Sequence, residues 1–360
     1  MLLERGHRVI IATPPSASPH SLAPGARFRP LYRYDNSGQN PLRELRLIQE
    51  YRALFREERP DVILTFTVKA NIYGSLAAGQ LHIPVISTIT GLGYSFTGNS
   101  LLRRVVCQLY RRGMRRNFRV AVQNRVDYEL FRQKRLASAE QLLLIPGSGV
   151  DVRRFRYTPL PERREPFRFL FIGRLLSDKG VLEYVEAARR LREVLPDAVF
   201  EIVGDFFSSN PASISPPLWN RLIQQGNIVW HGQRTDVRPY LRRSTVFVLP
   251  SYREGLPMST LEAMSTGRPI ITTDAAGCRQ TVEPGKNGWM VPVQNVDVLV
   301  ETLISAYHTS RLDLVRMGQR SREMVETRFS KQIVARVYQD LIDQLVQPAR
   351  RPSPSVSSEC

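Results

Sequence analysis

Phe167-Arg-Phe-Leu-Phe-Ile172 is the stretch that decides the fold, together with the residues that follow it. This mainly apolar run ends at Gly173, and from Val181 to Leu195 the apolar residues recur at helical spacing. A second apolar run, Ala198 to Val203, comes next. A buried strand, a helix and another buried strand in succession indicate a parallel sheet that is covered by helices.

The same alternation continues toward both ends of the chain. Further strands are predicted at Arg8–Thr13, Asp61–Thr65, Pro84–Thr88, Val120–Val122, Leu142–Ile145, Ile228–Trp230, Val246–Leu249 and Pro269–Thr272. The charged, proline-containing stretch 151–166 is typical of a linker. We therefore predict an α/β fold with two doubly wound, Rossmann-like domains, residues 1–150 and 167–330. An amphipathic helix at 331–347, which we expect to pack back on the first domain, and a disordered tail at 348–360 follow.

The beginning of the chain differs from an ordinary first unit of such a domain. Residues Met1 to Gly6 are typical of the last turn of a helix, and they lead directly into the strand Arg8–Thr13. We expect the first domain to lack its first strand and most of its first helix, either through a late start codon or through truncation.

Composition limits the class of protein and its partners. The 360 residues contain 42% hydrophobic and 23% charged residues, which fits globular domains and excludes a wholly disordered chain. The net charge of +18 favours an anionic partner, and residues 1–150 carry 22 basic against 10 acidic side chains. Three distant cysteines, no membrane-spanning stretch and no leader predict a cytoplasmic protein whose membrane contact is peripheral.

The loop after Ile172 carries two cations, Arg174 and Lys179, close to a predicted helix N-terminus. Because the helix dipole is already positive there, an anion would relieve the repulsion. The alternative is that both are solvated surface side chains.

The loop after Leu249 carries Glu254 and, eight residues later, Glu262. Gly255 lies between them in a loop whose backbone N–H groups suit a diphosphate or a sugar hydroxyl. Glu262 has a second interpretation, because Ser259 and Glu262 match the spacing of a helix capping box. Two further loops carry His231 and Gly204. A histidine such as His231 is more often packed or capping than functional, and turn formation is sufficient to explain Gly204.

These motifs together resemble those of the retaining GT-B glycosyltransferases that carry a Glu-x7-Glu motif. The resemblance covers nearly all of the chain and rests on Gly173-Arg174, Asp178-Lys179-Gly180, His231-Gly232, Ser251-Tyr-Arg-Glu254-Gly255, Glu262-Ala263 and Gly267-Arg-Pro-Ile270. It implies two facing domains with a nucleotide-sugar site, made chiefly by the second, in the cleft between them.

The resemblance also implies roles for individual residues. Arg174 and Lys179 would hold the nucleotide diphosphate, and Glu262 would accept hydrogen bonds from the ribose. The donor sugar would be met by Glu254 with the backbone of Gly255 and Leu256. The remaining donor-site residues that we predict are Gly173, Gln233 and Arg234, of which the last two would lie near the base.

The family's mechanism is electrostatic: the acceptor attacks on the face from which the diphosphate leaves, and cations stabilise the leaving group. The chain has no Asp-x-Asp pair that could hold a metal against the diphosphate. Arg174 and Lys179 would replace the metal, so we predict metal independence and no cofactor besides the nucleotide sugar, which we expect to be UDP-linked.

The first domain resembles the subgroup that extends polyprenyl-diphosphate-linked sugars in bacteria. The resemblance lies in two strand-to-helix loops, residues 66–74 and 88–94. The candidate acceptor residues in these loops are Lys69, Asn71, Thr90 and Gly91. Many family members have a histidine where Thr90 stands, so no imidazole role is carried over to this position.

Residues 101–119 contain seven arginines and no acidic residue, interleaved with Leu102, Val105, Val106, Leu109 and Tyr110. This pattern is typical of an interfacial helix on an anionic membrane, here the inner face of the cell membrane. An ordinary surface helix with a basic outer face would have the same pattern.

Three functions remain open. The first is transfer of an N-acetylhexosamine or hexose from a UDP-sugar to a lipid-diphosphate-linked saccharide in bacterial surface glycan synthesis. A variant of this alternative is a truncated glycosyltransferase that is inactive. The second is a UDP-sugar epimerase of the same architecture, which would need no acceptor. The third is nucleic-acid binding, which the charge permits, but zinc-binding and aromatic single-strand motifs are missing, so we expect no nucleic-acid partner.

Overall fold

The computed structural model describes residues 2–15, 24–34, 40–92, 100–162, 164–208, 210–226 and 228–346. Within these ranges every strand pair is parallel, as expected where helices connect successive strands. The predicted tail, 348–360, lies outside the described residues, as do Gly93 and Tyr94 of the second predicted acceptor loop.

The second half of the chain forms a six-stranded sheet in the order β12-β11-β10-β7-β8-β9. Its strands are β7 (Phe167–Ile172), β8 (Ala198–Val203), β9 (Ile228–Trp230), β10 (Val246–Leu249), β11 (Ile270–Thr273) and β12 (Gly288–Val291). The chain runs outward from β7 to β9, returns to the other side of β7 at β10, and then continues outward to β12. The order of the strands therefore reverses between β7 and β10.

The first half of the chain contains two parallel sheets. One pairs β1 (Ile10–Thr13) with β2 (Arg27–Pro30), and the other has the order β3 (Ile63–Phe66), β4 (Val85–Ile89), β5 (Arg119–Val122), β6 (Leu142–Leu144). Leu31, which follows β2, lies in one hydrophobic cluster with Ile63 of β3 and Val85 of β4. The two sheets thus share a core.

Helices cover these sheets, and several begin at a side chain that caps the first turn. The helices are α1 (Pro41–Glu58), α2 (Ser75–Gln80), α3 (Ser100–Met114), α4 (Arg125–Gln133), α5 (Val181–Leu191), α6 (Pro216–Gly226), α7 (Arg238–Arg243), α8 (Met258–Ser265), α9 (Val296–His308), α10 (Arg311–Met324) and α11 (Lys331–Val346). Asn40, Asn124, Asn295 and Ser310 each accept a hydrogen bond from a backbone N–H in the helix that they precede. The caps explain why these helices begin where they do.

The last helix, α11, packs against the first domain although the chain reaches it from the second. Leu341 and Ile342 of α11 are buried in a cluster with Ile86 of β4. The hydroxyl groups of Tyr338 and Thr88 are 2.6 Å apart. This helix therefore packs back on the first domain, as predicted.

The basic helix predicted at 101–119 differs from the prediction in its end and in its packing. It ends at Met114, and Arg119 already belongs to β5. Val106 and Tyr110 are buried in the core of the first domain, while Val105 is 50% exposed. The interpretation that this apolar face lies in a membrane is wrong for Val106 and Tyr110, because the face is used to pack the helix onto its own domain.

None of the helices in the described part of the chain is long and apolar enough to cross a membrane.

Candidate functional site

The reversal of strand order between β7 and β10 directs attention to the loops that follow these two strands. In open parallel sheets, ligands bind beyond the carboxyl ends of the strands at the point where the order reverses. The loop after β7 carries Arg174 and Lys179, and the loop after β10 carries Glu254. The topology thus places three of the predicted site residues at the expected position.

Lys179 and Glu254 form an ion pair across the two loops. The Lys179 Nζ lies 2.5 Å from the Glu254 Oε1, and the side chains are only 16% and 13% exposed. The Ser251 hydroxyl also donates to the Glu254 Oε1, at 2.9 Å. An anionic ligand that binds Lys179 must therefore compete with Glu254 for this cation.

The loop of Lys179 is held tightly against the loop of Glu254. Gly180 has a φ of +70°, and a Cβ at this position would lie 2.0 Å from the Pro250 carbonyl oxygen. The carbonyl of Asp178 accepts a hydrogen bond from the Tyr252 N–H at 2.9 Å, and the Ser251 hydroxyl oxygen lies 3.1 Å from the same carbonyl. Glycine is required at 180 because no side chain fits, and the geometry of the ion pair is fixed by the backbone.

Burial raises the pKa of the Asp178 carboxyl above its usual value, and Glu254 adds to this effect. Lys179 and Arg174 act in the opposite direction. Two acids and two cations thus share the space at the end of β7. Groups with perturbed pKa values are common at functional sites.

Gly255 and Leu256 lie where the second domain meets the first. A Cβ at Gly255 would lie 2.1 Å from the Thr90 carbonyl oxygen, and one at Gly147 would lie 2.4 Å from the Leu256 side chain. In the described part of the chain, no acceptor is bonded to the backbone N–H of Gly255 or of Leu256. Two N–H donors therefore remain beside Glu254.

The first domain also binds the Glu254 loop through residues that were not predicted from the sequence. The Asn124 side chain, at the start of α4, donates to the carbonyls of Glu254 at 3.2 Å and Gly255 at 3.1 Å. Asp127 on the same helix is fully buried and forms an ion pair with Arg253. The only hint in the sequence was an acidic residue, Asp127, on the face of the helix that packs on the domain. Its partner, Arg253, lies 126 residues away in the chain.

Burial raises the pKa of the Asp127 carboxyl, while Arg253 and the Asn124 amide lower it. The charged form of Asp127 is therefore supported by the groups that join it to the Glu254 loop.

Glu262 does not cap its helix, so the capping-box interpretation is wrong. α8 begins at Met258 after Pro257, which places Ser259 inside the helix rather than at its cap. Among the described residues, no group donates a hydrogen bond to the Glu262 carboxylate. Burial raises the pKa of this carboxyl from 4.5 to about 7, and Arg154 opposes the rise. Glu262 is thus a half-buried acceptor that no donor among the described residues occupies.

Arg174 is exposed, and its guanidinium lies 4.8 Å from the centre of the Phe207 ring. Its neighbour Gly173 lies against Gly204, where a Cβ would be 1.8 Å from the Gly173 carbonyl oxygen. Gly204 is therefore required by close backbone packing.

The residues after β9 divide into two groups. Gln233 and Arg234 are exposed. The His231 Nε2 instead lies 3.1 Å from the Glu201 Oε1 and 3.0 Å from an Arg243 nitrogen, and its ring packs on Tyr240. His231 thus belongs to a packed polar network, and the two exposed residues remain available to a ligand.

The predicted acceptor residues are engaged within the first domain. The Lys69 Nζ lies 2.7 Å from the Glu44 Oε1. Asn71 is buried and donates to the Thr88 carbonyl at 2.8 Å, while its Oδ1 has no partner in the described structure. Thr90 is exposed, and Gly91, with a φ of +120°, packs against Gly255. The structure brings Thr90 and Gly91 to the Glu254 loop, but it uses Lys69 and Asn71 mainly for internal contacts.

Comparison with protein families covers most of the chain. Residues 1–148 match the model described as "Glycosyl transferase 4-like domain", and residues 166–309 match "Glycosyl transferases group 1".

Two curated relatives are similar along most of their length. One is the Escherichia coli UDP-Gal:alpha-D-GlcNAc-diphosphoundecaprenol alpha-1,3-galactosyltransferase, 28% identical over 77% of this chain and 73% of the relative. The other is the Campylobacter jejuni N,N'-diacetylbacillosaminyl-diphospho-undecaprenol alpha-1,3-N-acetylgalactosaminyltransferase, 26% identical over 88% of this chain and 86% of the relative. Both names describe transferases, so these relatives give no support to the epimerase alternative.

Solved structures show the same two-domain fold. Sucrose-phosphate synthase from Thermosynechococcus elongatus superposes with a TM-score of 0.78 at 20% identity, over 96% of this chain and 90% of that one. Anabaena Alr3699/HepE, solved in complex with UDP and glucose, superposes with a TM-score of 0.72 at 18% identity, over 88% and 86%. With both halves of the chain matched, this protein belongs to the glycosyltransferase group 1 family and has the GT-B fold.

Proposed function

We propose that the protein transfers a sugar, an N-acetylhexosamine or a hexose, from a UDP-sugar to a saccharide linked to a polyprenyl diphosphate, in bacterial surface glycan synthesis. The observation that carries the proposal is the Lys179–Glu254 ion pair at the reversal point of the second sheet. The names of the two curated relatives, which act on diphospho-undecaprenol-linked sugars, support the substrate class.

In this proposal the donor diphosphate takes the position beside Lys179 and Arg174. Lys179 is the better placed of the two to bind it, because it is mostly buried and its charge is weakly screened by water. The N–H groups of Gly255 and Leu256, which have no acceptor in the part of the chain that the structure describes, would orient the donor sugar together with the carboxylate of Glu254. Glu262, whose carboxylate has no donor in the described structure, would accept hydrogen bonds from the ribose.

The reaction breaks the bond between the sugar C1 and the diphosphate oxygen and forms a bond from C1 to the acceptor oxygen. We propose that the acceptor attacks on the face that the diphosphate leaves, so that the anomeric configuration is retained. The hydroxyl proton of the acceptor leaves with the diphosphate. Lys179 and Arg174 stabilise the negative charge that develops on the diphosphate, which is the task that a divalent metal has in other enzymes.

We further propose that the protein meets an anionic membrane at the cytoplasmic face through the outer side of α3. Arg103, Arg104 and Arg112 on this helix are exposed. Each basic residue near an anionic bilayer contributes about 1 kcal/mol of attraction. The contact would be electrostatic, since Val106 and Tyr110 of the apolar face are buried.

A transfer assay tests the enzymatic proposal. The purified protein is incubated with a panel of UDP-sugars and a short polyprenyl-diphosphate-linked N-acetylhexosamine, and products are identified by mass spectrometry and anomer-resolving NMR. We expect one donor to give an α-linked product, with unchanged rate in EDTA. Conversion of the UDP-sugar without an acceptor would indicate an epimerase instead, and absence of product with every donor would contradict the proposal.

Vesicle sedimentation tests the membrane proposal. Replacement of Arg103, Arg104 and Arg112 by Gln should reduce binding to vesicles with 30% phosphatidylglycerol roughly 100-fold, because three residues at about 1 kcal/mol each contribute about 3 kcal/mol. A matched variant, with the exposed Arg46, Arg192 and Arg221 replaced by Gln, has the same net charge and should bind as the unaltered protein does. Equal binding to neutral and anionic vesicles would contradict electrostatic docking.

A further inference from the structure

A cavity of about 390 Å³ lies beside the linker between the domains. It adjoins Glu262, because its lining residue Arg154 is close enough to lower the pKa of that carboxyl. It is bounded by the linker, by α7 and by the residue after α8; its lining residues are Arg153, Arg154, Phe155, Arg156, Tyr157, Thr158, Arg238, Arg242 and Thr266. None of the residues proposed to contact the donor lines it. Its volume falls within the range of small-molecule sites, which are about 300–1,000 Å³.

The cavity has an unusual concentration of positive charge. Its lining includes five arginines and no acidic residue. Arg238 pairs with Asp236, at 2.8 Å, but no carboxylate of the described residues lies within 4 Å of the guanidinium groups of Arg153, Arg154, Arg156 and Arg242. Because unpaired like charges repel one another around a shared space, the site is matched to an anion.

The walls of the cavity are held in place by the fold. A Cβ at Gly267 would lie 2.5 Å from the Tyr157 ring, so this ring packs directly on the backbone. The buried Arg268 donates to the Pro159 carbonyl at 3.0 Å and to the Thr158 hydroxyl at 2.9 Å. The Thr158 N–H donates to the Thr266 carbonyl at 3.1 Å. The linker that carries three of the arginines is therefore fixed, and a ligand would meet a largely preformed site.

We propose that this cavity, with Arg153, Arg154, Arg156, Arg238 and Arg242 around it, binds the phosphate or diphosphate group of a soluble small molecule at a second site that shares no lining residue with the proposed donor site. Guanidinium groups suit phosphate oxygens because they donate two parallel hydrogen bonds. The half-exposed ring of Tyr157 provides an apolar surface for the rest of such a ligand. A concave site favours a soluble phosphate over a lipid headgroup in a flat bilayer.

Calorimetric titration with inorganic pyrophosphate, at saturating UDP, tests the proposal. UDP binding alone is measured first, so that a failure of the proposed donor site is distinguished from a failure of this proposal. UDP is then kept at saturation so that it fills the donor site. We expect pyrophosphate to bind the unaltered protein with one further site. Replacement of Arg153, Arg156 and Arg242 by Gln should weaken this binding at least tenfold. All three side chains are exposed, so the variant should fold normally.

The matched variant with Arg46, Arg192 and Arg221 replaced by Gln carries the same charge and should bind pyrophosphate within twofold of the unaltered protein. Equal losses in the two variants would overturn the proposal, because they would show a general effect of net charge. Absence of pyrophosphate binding at saturating UDP would also overturn it. A third measurement compares the binding of the unaltered protein and of the Arg153, Arg156 and Arg242 variant to vesicles with 30% phosphatidylglycerol. If the variant lost vesicle binding but kept pyrophosphate binding, the cavity would be assigned to a lipid headgroup, which would contradict a soluble ligand.

Discussion

The loops at the end of the second sheet and those at the end of the first differ in how they use their charged residues. At the second sheet, Lys179 and Glu254 form an ion pair with each other, and backbone donors beside them have no partner in the described structure. At the first sheet, Lys69 pairs with Glu44 of α1, and Asn71 donates to the β4 backbone. Because the two ion pairs are buried to a similar degree, the difference lies in their partners: Lys179 pairs with a residue of the neighbouring loop at the reversal of strand order, where we propose that the donor binds, and Lys69 pairs with a residue of a helix.

The largest expected effect comes from removing the cation of the second sheet. Lys179→Met should lower the rate of transfer about 100- to 1,000-fold, because the charge on the leaving diphosphate loses its most buried donor. Steady-state kinetics with the preferred UDP-sugar measures it, and circular dichroism checks the fold. A rate within fivefold of that of the unaltered protein would contradict the proposed role of Lys179 and remove the difference between the two regions.

The next effect concerns the contact that joins the two regions. Asp127→Asn should lower the free energy of unfolding by about 2–4 kcal/mol, because Arg253 then keeps a poorly solvated charge without its partner. Urea denaturation measures the loss. Adding Arg253→Met to the same variant should recover part of it, since the unpaired cation is removed. If the double variant lost the sum of the two single losses, Asp127 and Arg253 would not be coupled.

Glu262 provides a smaller effect with a defined pH dependence. Its pKa of about 7 in the folded protein exceeds the usual 4.5, so the folded state binds more protons, and the free energy of unfolding falls as pH rises between these values. Glu262→Gln removes this cost. The variant should be more stable than the unaltered protein at pH 8 by about 1–2 kcal/mol, with allowance for its partial exposure.

At pH 5 most of the stabilisation by Glu262→Gln should be absent, because the carboxyl is then largely protonated in the folded protein. The exposed Glu193→Gln serves as a control and should show no such difference between the two pH values. A stabilisation equal at pH 5 and pH 8 would show that titration of Glu262 is not its cause.

The smallest effect is expected at Lys69. Lys69→Met should change the affinity for UDP by less than twofold and lower stability by about 1 kcal/mol, the value of a partly buried ion pair. Calorimetry and urea denaturation measure the two quantities. A rise of tenfold or more in the KM for the lipid-linked acceptor would instead place Lys69 in the acceptor site and remove the contrast between the two regions.

The sequence predicted the second region better than the first for a physical reason. Strand–helix alternation is a local pattern, so the main elements of the second domain could be predicted from the chain alone, and Lys179 and Glu254 were then assigned through the resemblance of their motifs to a known family. Asn124, Asp127 and Arg253 could not, because their contacts form only when the two domains meet.

Two local patterns were misleading because tertiary packing or a neighbouring residue decided the outcome. Ser259 and Glu262 have the spacing of a capping box, but Pro257 already occupies the cap position of α8. Val106 and Tyr110 lie on an apolar face that a membrane or a protein core could cover equally well, and the core covers them. The short strands β2 and β12 and the helix α6 carried too little periodicity to be predicted.

The affinity of Glu254→Gln for UDP tests the central claim most directly. If the donor diphosphate binds Lys179 in competition with Glu254, removing the carboxylate charge frees the lysine, and calorimetry should show UDP binding about 3- to 10-fold tighter, a gain of up to about 1.4 kcal/mol. Transfer should nevertheless fall, since Glu254 no longer meets the sugar. UDP binding that is unchanged or weaker in this variant would contradict the account.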